Sequence, residues 1–412
     1  MLVFYNIVIK SYYFLVVFFS FFNKKAKLWL VGRKNWQQKF VVNPSTTKVW
    51  FHFASLGEFE QGKPLLQAIK TQQPQKQIII TFFSPSGYEI RKNSNLGDYI
   101  LYLPLDTKQN AEDFIALFKP EIAFFNKYEY WYHFYKTLNK NNIPVFVTSA
   151  IFRPKHIFFK WYGGFNRKIL SFVTHFFIQN KESAVLLNGI GFKNYTICGD
   201  TRFDSVLDLA KNKKEFPLIE AFKAEHKLII AGSTWPQDEE LIANYIKNLN
   251  GDWKIIFAPH EIGEDKILNL EKLLGDQSVR YSSLLNSSEN LNSAIKCIII
   301  DNIGMLSSLY SYGDIAYIGG GFGVGIHNTL EAAAWGLPVV FGSNFQKFQE
   351  AKDLITNGGG FTIANQQELN IIFEKLINQP KFRIEAGLKA KNYVAVNIGA
   401  TEVIMEYVFP EN

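Results

Sequence analysis

No aspartate or glutamate occurs before Glu58 in this 412-residue chain, although eight cations do: Lys10, Lys24, Lys25, Lys27, Arg33, Lys34, Lys39 and Lys48. Without those eight, 36 basic residues face 37 acidic ones, so the formal charge of +7 belongs to the leader. A near-neutral body with a basic leader excludes a polynucleotide as the evident partner and fits an anionic membrane surface. Cysteine is scarce: Cys198 and Cys297 allow neither a disulfide framework nor a zinc cluster, and a reducing cytosol is the simplest compartment. There is no D-x-D, no H-E-x-x-H and no Cys/His quartet, so no tightly held catalytic metal is indicated. No long low-complexity tract is present, and 47% hydrophobic with 20% charged residues is the composition of a folded protein.

What is there begins with Leu2 to Phe22, almost wholly apolar and aromatic, interrupted by Asn6, Lys10 and Ser11. A helix of that length reaches about 30 Å, enough to cross or lie along a bilayer. The cations follow the run and no small-x-small site closes it, which predicts a membrane-associated helix with the body on the cytoplasmic side, not a cleaved signal. Lys10 is the awkward residue, since a cation held at mid-bilayer costs roughly 2.5–3.5 kcal/mol.

From residue 48 onward, short apolar runs alternate with helix-length segments. Strands are expected at Val49–Ala54, Gln77–Phe83, Glu121–Phe125, Val145–Thr148, Phe176–Ile178 and Tyr195–Cys198, with helices at Gly62–Thr71, Asn110–Phe118 and Tyr128–Leu138. A charged stretch including Lys211-Asn212-Lys213-Lys214-Glu215 then separates a second series: Lys227–Ala231, Trp253–Ala258, Cys297–Ile300, Ile315–Ile318 and Pro338–Phe341. Helices there are expected at Gln237–Leu249, Ile303–Ser311, Asn328–Trp335 and Gln346–Thr356. Such alternation predicts two doubly wound parallel α/β domains, with a cleft formed by loops at strand carboxyl ends. The expected organisation is a membrane helix over 1–30, an acceptor domain over 31–210, a donor domain over 211–385, and a terminal helix over 386–412 packing back on the first domain.

The strongest motif is Gly319-Gly320-Gly321-Phe322-Gly323-Val324-Gly325-Ile326-His327-Asn328-Thr329-Leu330-Glu331. A glycine loop between a strand and a helix lets backbone amides approach an anion, which points to a phosphate or sugar nucleotide at Gly320, Gly321, Gly323, Gly325 and His327. Asn328 and Glu331 also have capping-box spacing. No Gly-Lys-Ser/Thr follows, so the loop is not a P-loop. Ser233 and Thr234 end the second domain's first strand where a helix begins, and either cap it or hold an anion. His260 closes another strand of that domain. Ser55-x-x-Glu58 is itself a capping-box spacing, yet Glu58 stands at a strand's carboxyl end, where a carboxylate can serve as general base. Glu129 is placed likewise, as a cleft residue or as a solvated first-turn glutamate. Arg153 and Lys155 stand among aromatics in Arg153-Pro154-Lys155-His156-Ile157-Phe158-Phe159-Lys160-Trp161-Tyr162, a mixture suited to a lipid interface or to a packed amphipathic helix.

In order along the chain, Ala54-Ser55-Leu56-Gly57-Glu58, Thr81-Phe82-Phe83-Ser84-Pro85-Ser86-Gly87, Glu129-Tyr130-Trp131, Gly199-Asp200-Thr201-Arg202-Phe203-Asp204, Gly232-Ser233-Thr234, His327-Asn328-Thr329-Leu330-Glu331 and Phe341-Gly342 with Phe348-Gln349-Glu350 resemble the 3-deoxy-D-manno-octulosonic acid (Kdo) transferases of lipopolysaccharide biosynthesis. The resemblance implies a GT-B fold and inverting, metal-independent transfer of Kdo from CMP-Kdo to a lipid A precursor, without a cofactor. It implies Glu58 as base, Glu129 on the acceptor side, and Ser233, Thr234, Asn328, Glu331 and Glu350 on the donor side. The chain departs from the family's pattern at Lys127, Ala258 and Ala332. Another GT-B transferase, an epimerase, or a non-catalytic membrane-bound sugar-nucleotide binder shares the glycine loop but does not require Ala-Ser-Leu-Gly-Glu behind a membrane leader.

Overall fold

The structure, a computed structural model, describes residues 1–211, 213–247, 252–286 and 294–410. Asn212 and the end of the helix expected over Gln237–Leu249 lie outside the described residues. The chain forms two compact units, one of residues 1–205 and 398–412, the other of residues 206–397.

The first unit is built on a seven-stranded parallel sheet: β1 (Lys48–Phe53), β2 (Gln77–Phe82), β3 (Tyr99–Tyr102), β4 (Ile122–Asn126), β5 (Val145–Ala150), β6 (His175–Ile178) and β7 (Tyr195–Ile197), in the order β3-β2-β1-β4-β5-β6-β7. Every residue of β1 is buried, as expected of a strand covered by helices on both faces. Side chains alternate across it. Trp50, with Ile79, Phe125 and Val147, packs under the helices Lys108–Phe118 and Tyr132–Lys140. On the opposite face Phe51, Phe124, Phe146 and Phe177 form an aromatic row with centroid spacings of 4.8, 5.5 and 6.0 Å, closed by the helix Leu56–Gln72 and by Ile404 and Met405 of the helix Ala400–Val408. That last helix is capped by Asp204, which accepts from the amides of Gly399 and Thr401, both at 2.7 Å. The Gly199–Asp204 motif therefore has a structural task.

The helix Leu2–Phe19 has mean hydropathy 1.8 and is almost entirely unburied. It is nevertheless fastened to the first unit along one side. The Tyr5 hydroxyl donates to Asp106, Asn6 Oδ1 lies 2.7 Å from His133 Nε2, and Tyr12 stacks on Phe83 and edges Trp29. Asp106 is buried and also accepts from the amides of His133 and Phe134. The other side presents Phe4, Ile7, Phe14, Leu15, Phe18 and Phe19 to the outside. Lys10 is not on that apolar side but borders a groove lined by Asn6, Ile9, Asp106 and His133. Three of the eight leader cations, Arg33, Lys39 and Lys48, donate to main-chain carbonyls of the fold. Arg33 donates to the carbonyls of Trp29, Phe83 and Leu103 and stacks 3.8 Å from the Trp29 ring, and Lys48 Nζ donates to Asn43 and Thr46 carbonyls.

The second unit repeats the plan: β8 (Lys227–Thr234), β9 (Trp253–Pro259), β10 (Ser278–Arg280), β11 (Cys297–Ile299), β12 (Ile315–Ile318), β13 (Val339–Gly342) and β14 (Gly360–Ile363), in the order β10-β11-β9-β8-β12-β13-β14, all parallel. Its core is aliphatic, with Ile229, Ile255, Ile299, Ile315 and Val340 where the first sheet has phenylalanines. The helix Pro380–Ala395 stays with this unit, because Arg383 donates to the Leu376 carbonyl at 2.8 Å and Tyr393 to Asp353 at 2.8 Å. The segment that joins the first unit therefore begins at Ile398, not at 386.

Candidate active site

In an open parallel sheet the usable crevice lies beyond the carboxyl ends of the strands, where the strand order reverses. In the first unit that place is between β1 and β4, the two strands flanking the reversal. Glu58 follows β1 and Glu129 follows β4. The helix expected from Tyr128 begins only at Tyr132, so Glu129 is a loop residue and not a first-turn glutamate. The loop turns on Lys127, whose φ of 54° is left-handed, and Ser149 at the end of β5 has a φ of 50°. Uncommon backbone conformations of this kind gather where a loop is held for a purpose beyond packing.

Glu58 is half-buried at the third position of its helix. The expected capping box is incomplete: the carboxylate accepts from the Ala54 amide, one residue before the cap, at 2.5 Å, and the Ser55 side chain makes no cap bond. Burial, then the charge of Glu129, push the Glu58 carboxyl up to about 7, against the pull of the Ala54 and Ser55 amides and Lys127. A carboxylate with that affinity for a proton is matched to general-base work near neutral pH. Glu129 Oε2 accepts from Trp131 Nε1 at 3.0 Å and lies 3.2 Å from His52 Nε2.

Behind Glu58 stands a buried polar chain. Asn126 Nδ2, at the end of β4, donates to the Glu58 carbonyl at 3.0 Å and to Gln61 Oε1 at 3.1 Å, and Gln61 donates to Asp200. Asp200 is paired with Arg202 at 2.9 Å, and the Arg202 and Lys127 charges help hold its carboxyl below the usual range despite burial. Sequence reasoning gave no role to His52, Gln61 or Asn126. His52 and Asn126 are polar residues within or at the end of apolar runs, and that was the available signal, whereas Gln61, between Glu60 and Gly62, gave none. Arg153 and Lys155 are exposed on the turn after β5. Arg153 acts on Tyr128, a residue whose hydroxyl is raised by burial and whose ring meets His156. The expected packed helix over 153–162 is replaced by a short turn, Ile157–Phe159, which buries Phe158 and leaves Trp161 91% exposed.

The second unit gathers its candidates at the corresponding reversal, between β8 and β12. Ser233 sits at a register shift between β8 and β9 with a φ of 54°, half-buried. Thr234 differs from the expectation: its buried hydroxyl donates to Glu239 at 3.0 Å, so that proton is not available to a phosphate. The glycine loop follows β12. Gly320 has φ 90° and its absent Cβ would fall 2.4 Å from the Gly325 carbonyl oxygen; at Gly321 it would fall 2.5 Å from Gly342 Cα. Those glycines are required by the loop's own packing, whereas Gly323 is exposed and a Cβ there meets nothing.

Asp238, another residue that sequence reasoning passed over, ties this loop to the neighbouring helix. Its buried carboxylate accepts from the amides of Gly320 and Trp235, each at 2.9 Å, and from the Tyr317 hydroxyl at 2.7 Å. Beside it Trp235, His260 and His327 form a stack, with centroids 5.0 and 4.3 Å apart, and Trp235 Nε1 donates to His327 Nε2 at 3.2 Å. Burial, then His260, lower the His327 pKa to about 4, so the ring is neutral and carries its proton at Nδ1. Asn328 donates to Glu331 at 2.9 Å and accepts from the Leu330 amide at 3.1 Å, a helix-start arrangement. Glu350 is buried in the first turn of the helix Gln349–Asn357. A cavity of about 310 Å³ beside Thr234 is lined by Trp235, Glu239, Glu240, Glu261 and Lys266. Three carboxylates against one ammonium do not suit a phosphate.

Residues 34–205 match a family described as 3-deoxy-D-manno-octulosonic-acid transferase (kdotransferase). The chain is 28% identical over 340 residues to the 3-deoxy-D-manno-octulosonic acid transferase of Aquifex aeolicus, covering 81% of this chain and 87% of that protein. It is 27% identical over 350 residues to that of Chlamydophila psittaci, covering 82% and 80%. Among solved structures it resembles the UDP-GlcNAc 2-epimerase of Neisseria meningitidis bound to UDP-GlcNAc, with a TM-score of 0.63, 18% identity, and coverage of 89% and 100%. At that identity the likeness is one of fold, and the fold is of GT-B type.

Proposed function

We propose that this chain is a member of the Kdo transferase family and moves Kdo from CMP-Kdo to a lipid A precursor, lipid IVA, with Glu58 as the general base. The observation that carries the reading is a carboxyl raised to about 7 at the reversal point of the first sheet, next to a second carboxylate. In the step proposed, an acceptor hydroxyl gives its proton to Glu58 while its oxygen bonds to the anomeric carbon of Kdo. The bond from that carbon to the phosphate oxygen breaks on the opposite face, CMP departs, and the configuration inverts.

The donor side of this reading is the second unit. Ser233, the amides of the glycine loop about Gly323, and His327, with its Nδ1 proton, are the groups suited to the departing phosphate. His260, which stacks on His327, belongs to the same donor side in this reading, as do Asn328, Glu331 and Glu350. No metal ion or cofactor enters, so turnover with EDTA present is expected to match turnover without it within about twofold. On the acceptor side, Glu129, Arg153 and Lys155 would meet the phosphorylated disaccharide of the lipid.

The reading places the chain on the cytoplasmic face of an inner membrane. A helix bonded to the body from Tyr5 to Tyr12 has only its outer side left for lipid, which supports lying along the surface over crossing it. The exposed Trp161 and Tyr162 are a further aromatic pair suited to a membrane interface. The test is incubation with CMP-Kdo and tetraacylated lipid A precursor, followed by mass analysis of the lipid. A gain of one or more Kdo masses is expected, and an unchanged lipid mass would reject the assignment. Parallel incubation with UDP-GlcNAc separates the transferase from an epimerase.

A further inference from the structure

His52 is fully enclosed on β1, and its ring joins Thr81 on β2 to Glu129. The protons in this chain can be counted. Trp50 Nε1–H, which can only donate, occupies one lone pair of the Thr81 hydroxyl at 2.8 Å. That hydroxyl has one proton to give, with His52 Nδ1 at 2.9 Å and the Phe51 carbonyl at 3.2 Å in reach. The other end of the ring decides between them. The Glu129 carboxylate can only accept, so Nε2, 3.2 Å from its Oε2, carries a proton. A neutral ring with Nε2–H leaves Nδ1 as an acceptor, and Nδ1 takes the Thr81 hydroxyl proton at 2.9 Å, the shorter of the two contacts.

We propose that His52 is the positioning residue for Glu129: Thr81 fixes its Nε2–H tautomer, and that N–H, with the one from Trp131, holds the Glu129 carboxylate in a single orientation beside Glu58. The proposal rests on the reading of Glu58 and Glu129 given above and gives a task to the Thr81 motif, which that reading leaves idle. The ring's other described neighbours are Phe125 from β4, at 5.4 Å, and Trp50 through Thr81; Glu129 is the titratable group facing it. The charge kept on Glu129 contributes to the elevated proton affinity of Glu58.

The experiment has two arms. Full-length protein with ¹⁵N-labelled histidine is recorded at about pH 8, with the His52 signal among the seven histidines identified by its loss in His52→Gln. The expected spectrum shows the Nε2–H tautomer, which is released in Thr81→Val. An Nδ1–H ring would overturn the proposal. In the second arm, glutamine places an amide N–H where Nε2–H stands, whereas asparagine reaches only the Nδ1 position. His52→Gln is expected to keep turnover within about threefold and His52→Asn to lose about 30-fold, with the difference gone in a Glu129→Gln background. Equal losses in the two single variants would also overturn it. If the wild-type protein transfers no sugar, the proposed function falls, and the spectrum still decides the tautomer.

Discussion

Both units are seven-stranded parallel sheets that reverse beside their first strand, with the outer strands ordered differently, yet they build their crevices from different material. The first has an aromatic sheet, with side chains such as Glu58, Glu129 and His52 held at strand ends by buried hydrogen bonds. The second has an aliphatic sheet, and its crevice is mostly main chain: a glycine loop whose backbone packs on itself and is tied down by Asp238. A proton acceptor must be a side chain whose basicity is set by its neighbours, and bulky packing fixes it in place. An anion site can be made of amides, which requires a backbone free to turn and approach. The same kind of doubly wound sheet thus serves two chemistries because its loops differ.

The comparison breaks most sharply at Glu58. Glu58→Gln is expected to lower turnover by about 10³-fold, within the range for a lost general base, while CMP-Kdo binding measured by calorimetry is retained. The same variant should be more stable above pH 7. The folded-state value of about 7 exceeds the ordinary 4.5, so folding favours the protonated form. That stability is complete below about pH 4.5 and is lost as pH rises through about 7. Removing the ionisable group should then gain on the order of 1–3 kcal/mol at pH 8 and nothing near pH 4.5, read by chemical denaturation.

Next in size is the leader. Replacing exposed Phe14, Leu15 and Phe18 together by serine is expected to weaken vesicle binding by about 100-fold or more, each apolar side chain being worth roughly 1.5–3 kcal/mol, without loss of fold. In the second unit, Asp238→Ala strands two amides and a hydroxyl, and is expected to cost about 2–4 kcal/mol of stability and to weaken donor binding. Conversion of Glu129 to Gln removes the like charge beside Glu58, so the acid limb of the rate profile should move down from about pH 7 by about one pH unit.

Much of the fold was legible because buried parallel strands read as continuous apolar runs, and the long central ones were located within a residue or two, except β8, which runs three residues past the expected Ala231. The three strands that went unread, β3, β10 and β14, are all edge strands of three or four residues. Edge strands take their conformation from a single neighbour, and Ser278-Val279-Arg280 has no pattern of its own. Glu58 could be picked out because it follows a strand and opens a helix. The glycine loop was visible too, but the glycine count pointed to an anion when Gly320 and Gly321 answer first to packing. His52 and Asp238 stayed hidden because their partners, Thr81 and Gly320, are about 30 and 82 residues away. Only tertiary structure reveals such pairs.

The account is tested most directly by single-turnover transfer at saturating CMP-Kdo, comparing wild type with Glu58→Gln between about pH 5.5 and pH 9. A wild-type rate that rises through a limb near pH 7, above a flat residual rate about 10³-fold lower in the variant, is the predicted result. A variant that keeps a tenth or more of the wild-type rate, with the limb still in place, would contradict it.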